Sequence, residues 1–198
     1  VLARLAVIAL CIGCGHPPAA RPSGPEVSVK TEIELAEQAE KARQHDVARE
    51  HYQRAVANAH DPANIAYARH EFAETLSTWG EYAEAIAQFE GSLAARPNNA
   101  ATWHDLGLLR HHEGDTPGAI KALERSRELA PKDFRPRREL AVIRWTTGDR
   151  TGAAAEYRAM LALDIPERLR TMAEWAIGCL AAPSNADAKC RRPELAKP

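Results

Sequence analysis

The chain has 198 residues, 45% of them hydrophobic and 27% charged, with a formal net charge of −1 at pH 7. That length and balance suit one folded domain with a buried core. The two signs of charge are interspersed, so there is no basic block to follow a nucleic-acid backbone and no acidic tail, and nucleic acid is not expected as a partner.

At the N-terminus Arg4 precedes an apolar run from Leu5 to Cys14. Spanning a bilayer takes ~20 residues, so the run is too short, but it has the length of a signal-peptide core. Gly13 just before Cys14 resembles the cleavage box of bacterial lipoproteins, although Cys11 stands where that box usually has leucine. The resemblance implies a signal peptide over residues 1–13 and an acylated Cys14, which would make a lipid membrane one partner of the chain. Gly15 in place of aspartate implies, by the same resemblance, an outer-membrane lipoprotein facing the periplasm. Residues 14–30 include Pro17, Pro18, Pro22 and Pro25 and read as an extended tether with ~3 Å of reach per residue. Helical pattern is expected from Thr31, where Ile33, Leu35, Ala36, Ala39 and Ala42 form an apolar stripe.

The middle of the chain repeats. Gly80-Glu81-Tyr82-Ala83-Glu84-Ala85-Ile86 returns as Gly114-Asp115-Thr116-Pro117-Gly118-Ala119-Ile120, and again as Gly148-Asp149-Arg150-Thr151-Gly152-Ala153-Ala154, at a period of 34 residues. Such a period without strand patterns marks stacked helical hairpins. In each copy a small residue (Ala85, Ala119, Ala153) is followed four positions on by a bulky one (Phe89, Leu123, Tyr157), and three further by Ser92, Ser126 or Met160. Those spacings share one helical face. Glycine at the turn supplies positive φ without Cβ strain, and Pro97, Pro131 and Pro166 close each unit because proline cannot continue a helix. A degenerate earlier copy carries Ala48, Tyr52 and Ala55, with Gln44-His45-Asp46 at a turn that lacks glycine. Tyr52 to Phe89 is 37 residues, which predicts about three extra residues in the connection near Asn58–Pro62.

Trp103, Leu106, Gly107, Gly114, Ala119, Ser126 and Pro131, with Leu123 in the large-residue slot, resemble the tetratricopeptide repeat. The third copy departs from the pattern at Arg137, Ala141 and Ile165-Pro166, which predicts looser packing of that hairpin. The resemblance implies an all-α solenoid over residues 31–182, with about four repeats (31–65, 66–99, 100–133, 134–167). A capping helix over 168–182 would cover the open end, and 183–198 would form a tail. Leu169, Met172, Ala173, Ala176, Ile177 and Leu180 supply the apolar face of that cap.

With Cys11 assigned to the signal and Cys14 to the lipid, Cys179 and Cys190 remain. In an oxidising compartment they are expected to be joined in a disulfide across a short loop. A zinc site at these two cysteines is not expected, because no histidine lies beside them.

The eight histidines offer no metal geometry by helical spacing. His104 and His111 are seven apart, ~10 Å along a helix axis, and the position four beyond His104 is Leu108. No partner is identified for His45, His51, His60 or His70. There is no Gly-rich phosphate loop, nucleophile elbow or Cys/His dyad. Catalytic residues, cofactors and metals are therefore none in this reading, and the chain is not expected to be an enzyme. The family resemblance implies that the first helices line a groove for a partner, formed by Tyr67, His70, His104, Leu108, His111, Arg135, Arg138, Val142 and Trp145. Arg135 and Arg138, one turn apart, are expected to face a carboxylate of the partner. His70 and Glu74 stand where one subtype of the family places a lysine/asparagine clamp for acidic tails, so that specificity is not implied. The function expected is a non-catalytic, membrane-anchored scaffold that docks a segment of an envelope protein. It would assist assembly or localisation of an envelope complex, by analogy a type IV pilus, secretin or gliding machinery. The alternatives are an accessory partner of a cell-wall enzyme and a histidine-based metal-binding protein.

Overall fold

A computed structural model describes residues 28–182 and residue 190. The expected signal peptide, the acylation site Cys14, most of the tether and all of the tail except Cys190 lie outside the described residues. Among the described residues there are nine α-helices and no strand: α1 Val29–Lys41, α2 His45–Asn58, α3 Pro62–Trp79, α4 Tyr82–Ala95, α5 Ala100–His112, α6 Thr116–Leu129, α7 Arg135–Thr147, α8 Arg150–Leu161 and α9 Glu167–Ala181. The fold is all-α. Consecutive helices pair as hairpins (α1 with α2, α3 with α4, α5 with α6, α7 with α8), each second helix packs on the next first helix, and α9 lies on α8. No described helix is long and apolar enough to cross a membrane.

The small-against-large pattern forms the seam of each hairpin. Ala85, Ala119 and Ala153 are fully buried, and Phe89, Leu123 and Tyr157 are buried beyond them. The approach is closest at Gly107, where a Cβ would stand 2.7 Å from Leu123 Cγ and 3.3 Å from the Ala119 carbonyl oxygen. The serines of the repeat have a defined task. Buried Ser92 Oγ donates to the Ala66 carbonyl at 2.8 Å, and Ser126 Oγ donates to the Ala100 carbonyl at 2.8 Å, tying each second helix to its first. Trp103 Nε1 donates to the Pro97 carbonyl at 2.8 Å and holds the preceding loop against α5. One period later Arg137 occupies the Trp103 position and binds Glu156, which is 4% exposed and also receives Arg127 and Arg144. An ion cluster therefore replaces the indole in the third hairpin.

The helix ends follow from local chemistry. Asp61, Asn99, Asp115 and Asp149 accept first-turn backbone N–H groups of α3, α5, α6 and α8. Gly80, Gly114 and Gly148 take φ of 82°, 85° and 95° at the three hairpin turns. The turn between α1 and α2 differs from the sequence expectation. His45 and Asp46 are already inside α2, and Arg43 takes the left-handed conformation at φ 57°. Its N–H reaches the Glu40 carbonyl at 2.8 Å and the Gln44 N–H reaches the Ala39 carbonyl at 2.9 Å, the closure that Gly80 and Glu81 make on Ser77 and Leu76. The extra residues before the second copy also lie elsewhere than expected. They lengthen α3, which has 18 residues against 13 in α5, because Asp61 and Pro62 start it about a turn early. Helix α1 begins at Val29, two residues ahead of Thr31, because the Ser28 side chain caps it.

At the far end, α9 buries Ala173, Ala176, Cys179 and Leu180 against a cluster containing Trp145, Tyr157 and Met160. A Cys179–Cys190 disulfide joins this helix to the chain beyond it, with the Cα atoms 5.5 Å apart. Arg150 Nη2 donates to the carbonyls of Cys179, Leu180 and Ala182, which satisfies the C-terminus of α9 from the neighbouring helix.

Candidate functional site

The first helices touch one another from repeat to repeat, α1 with α3 and α5 with α7, and so form the inner layer of the stack. The predicted groove residues lie on this layer or beneath it. Tyr67 is 40% exposed and Arg135 is exposed as well. His70, Leu108 and His111 are half-buried.

Five of the predicted groove residues are buried or engaged within the chain. Trp145 is buried, edge-on to Tyr157 and 5.9 Å from Trp175, because α9 closes over it. Val142 and His104 are also buried, so none of the three is open to a partner. The guanidinium groups of Arg135 and Arg138 are engaged within the chain. Arg135 forks onto Asp133, with Nη2 to Oδ2 at 2.7 Å and Nε to Oδ1 at 3.1 Å, while Arg138 binds the buried carboxylate of Glu139.

The structure brings a residue of α5 to a pair that stands one turn apart on α3. His70, Glu74 and Asp105 each offer one ligand atom, all within 4.8 Å of one another. His70 Nε2 lies 3.5 Å from Glu74 Oε1, and its Nδ1 lies 3.1 Å from the hydroxyl of buried Thr102 on α5. His104 Nδ1 lies 3.1 Å from Asp105 Oδ1. Burial works against the charged form of His70. The hydrogen bond and charge of Glu74, joined by Asp105 and Glu71, outweigh it and hold the imidazolium above the ordinary histidine value. The same contact holds the Glu74 carboxyl below the ordinary glutamate range. Glu71 is pushed up, first by burial and then by Glu74. Tyr67 is raised by burial and by the charges of Glu71, Glu37 and Glu34. On α5, burial pushes His111 down. Behind the inner layer, burial and Glu139 push the Tyr157 phenol up to about 12.

A periodic signal for this face exists in the sequence. Glu71, Asp105 and Glu139 are spaced by the repeat period of 34 residues, and Glu34 precedes Glu71 by the longer first interval of 37. One inner register position therefore carries a carboxylate in every copy. The ladder runs from exposed Glu34 through half-buried Glu71 and Asp105 to buried Glu139. Arginines answer it only at the C-terminal end, through Arg138 on Glu139 and Arg135 beside Asp105. In the N-terminal half Glu34 pairs with exposed Lys30 at 3.8 Å, and the charges of Glu71, Glu37 and Glu34 all act on Tyr67.

The tetratricopeptide repeat family model matches residues 70–134 and 113–168. No match was found among curated proteins. Among solved structures, a crystal structure of MamA superposes with a TM-score of 0.66 at 16% identity, over 77% of this chain and 80% of that one. The Yersinia enterocolitica type III secretion chaperone SycD, in complex with a peptide of the translocator YopD, gives 0.53 at 18% identity over 57% and 88%. The first TPR of Spaghetti (RPAP3), bound to an HSP90 peptide, gives 0.53 at 16% identity over 59% and 94%. At these identities the superpositions speak for the fold. The family match takes in half of the sequence and the turns, seams and serine ties recur in register, so the chain belongs to the tetratricopeptide repeat family.

Proposed function

We propose that this chain is a non-catalytic scaffold that docks an extended protein segment on the N-terminal half of its inner face. The observation that carries this is the carboxylate repeated at one inner register position of every copy, whose N-terminal members Glu34 and Glu71 act on half-exposed Tyr67. Aromatic side chains supply contact area at protein interfaces, and a one-signed surface selects its partner by charge. With Arg135 and Arg138 held by Asp133 and Glu139, the partner that suits this face is a segment rich in lysine or arginine, in place of the carboxylate expected from the two arginines. The peptide-bound SycD and Spaghetti structures support docking of a segment as a use for this fold.

In the same reading the scaffold is held in the cell envelope by acylation of Cys14 and serves assembly or localisation of an envelope complex. Support for that part is the apolar run ending in Gly13-Cys14 and the proline-rich stretch after it. Photo-crosslinking in cells from position 67, compared with exposed position 50 on α2, tests the docking face. A basic protein captured from 67 and lost in Glu71→Lys supports it, and equal capture from both positions overturns it. Palmitate labelling and membrane fractionation of Cys14→Ser test the anchor. A labelled membrane protein that becomes unlabelled and soluble supports it, and unchanged fractionation overturns it.

A further inference from the structure

We propose that His70, Glu74 and Asp105 form a binding site for a divalent transition-metal cation of the zinc type, which bridges the second and third hairpins on the inner face. His70 and Glu74 stand one turn apart on α3, and Asp105 comes from α5, so an ion held by all three ties neighbouring repeats together. An imidazole with two carboxylates is a donor set that zinc accepts, and two carboxylates balance a divalent charge. The three ligand atoms lie within 4.8 Å of one another. Bonds of ~2.0–2.2 Å place tetrahedral ligands ~3.5 Å apart, so the side chains need to draw in by about 1 Å. Glu74 is exposed and has the rotamer freedom to do this.

The surroundings orient the ligands. Thr102 is fully buried on α5, and its hydroxyl lies 3.1 Å from His70 Nδ1. With Nδ1–H donating to that hydroxyl, Nε2 is the ring nitrogen aimed at Glu74 Oε1, 3.5 Å away, and a cation bound there takes the place of the proton that the two groups otherwise share. Asp105 is steadied by His104 Nδ1 at 3.1 Å. His104 is 6% exposed and its Nε2 finds no hydrogen-bond partner, so this ring is committed to the Asp105 side of the site by its other nitrogen. The charge of Arg135 is felt at Asp105, and its fork onto Asp133 offsets it. Half-buried Glu71 adds a further negative charge beside His70. The alternative of a histidine site at His104 and His111 fails on geometry, because His104 has turned to Asp105 and the two are about two helical turns apart.

The test is titration of the chelator-treated chain carrying Cys11→Ser and Cys14→Ser, which removes two competing thiols, with zinc alone, by calorimetry and by competition with a chromogenic chelator, so that its outcome does not depend on any docking partner. About one equivalent is expected to bind, with affinity falling at least ~10-fold in His70→Ala and in Asp105→Asn alike. Thr102→Val, which keeps the shape of the buried side chain, is expected to weaken zinc ~10-fold or more while leaving the metal-free melting temperature nearly unchanged, as a positioning residue should. His112→Ala, two turns beyond Asp105 on α5, is expected to bind as the parent does. No stoichiometric binding, or binding retained in both His70→Ala and Asp105→Asn, overturns the proposal. Loss in His70→Ala with full retention in folded Asp105→Asn overturns the bridge between repeats.

Discussion

His70 and His111 both face the inner layer, and the surroundings drive their proton affinities apart. For His70, burial favours the neutral ring, but Glu74, Asp105 and Glu71 outweigh it and raise the value above 6.5. For His111, burial dominates with help from His112, and Glu139 only partly offsets it, so the value falls below 6.5. A raised histidine contributes stability that is fully present below its unfolded value of 6.5 and lost as pH rises through the folded one. Glu74 has the opposite sign: its contribution is present above 4.5 and lost as pH falls through its depressed folded value. The His70–Glu74 pair is therefore fully stabilising between about 4.5 and 6.5, while His111 stabilises above 6.5 and loses that contribution on acidification. In chelator-treated protein, NMR titration of the imidazole protons is expected to place the His70 midpoint above 6.5 and the His111 midpoint below it. Glu74→Gln should move the His70 midpoint down with little effect on His111. A His70 midpoint that stays put in that variant would show that Glu74 does not hold the proton.

At the level of elements, the hairpin turns set the repeat, and the first of them is built with the wrong residue for its conformation. Arg43 carries a Cβ at φ 57°, where Gly80, Gly114 and Gly148 carry none. A left-handed non-glycine residue costs roughly 1–2 kcal/mol, and glycine returns part of that through the entropy of its unfolded chain. Arg43 is exposed, so its side chain contributes little packing. Arg43→Gly is expected to stabilise the chain by about 0.5 kcal/mol, read as a higher urea midpoint at an unchanged slope. A lower midpoint would mean that the arginine side chain contributes more than its backbone strain removes. This turn also shows where the sequence stops being legible. Three glycines in register announce the hairpins, and alanine opposite a large side chain announces the seams. The left-handed conformation at residue 43 has no letter of its own, because any residue can be forced there at modest cost. The groove was legible only in outline. Register places Tyr67 and His70 on the inner layer, yet Trp145 at an equivalent depth is covered by α9, a helix outside the repeat. Arg135 and Arg138 read as partner-facing until Asp133 and Glu139, their near neighbours in sequence, are seen to hold them. The carboxylate ladder was readable, but only by stepping a full period instead of a helical turn.

Across the whole molecule, stability is distributed along one dimension, since each hairpin meets only its neighbours and the ends are the weak points. The C-terminal end is held by α9, whose buried face completes the cluster around Trp145, Tyr157 and Met160. Two ties keep α9 in place: Arg150 on its last carbonyls, and the Cys179–Cys190 bridge, which closes a loop of sequence separation 11. Closing a loop of that size lowers the entropy of the unfolded end by the equivalent of ~3 kcal/mol in the chain-entropy model. In a solenoid that stabilisation is local. Cys190→Ser is therefore expected to lower amide protection by up to ~3 kcal/mol in α9 and by less in α8, while α1 to α4 exchange as in the parent. Hydrogen exchange followed by mass spectrometry resolves these segments, and dithiothreitol on the parent should reproduce the variant. Equal loss of protection in α1 and α9 would mean that the stack melts as one cooperative unit. The terminal bridge would then stabilise the Tyr67 face six helices away, and redox conditions at the C-terminus would govern partner binding at the other end.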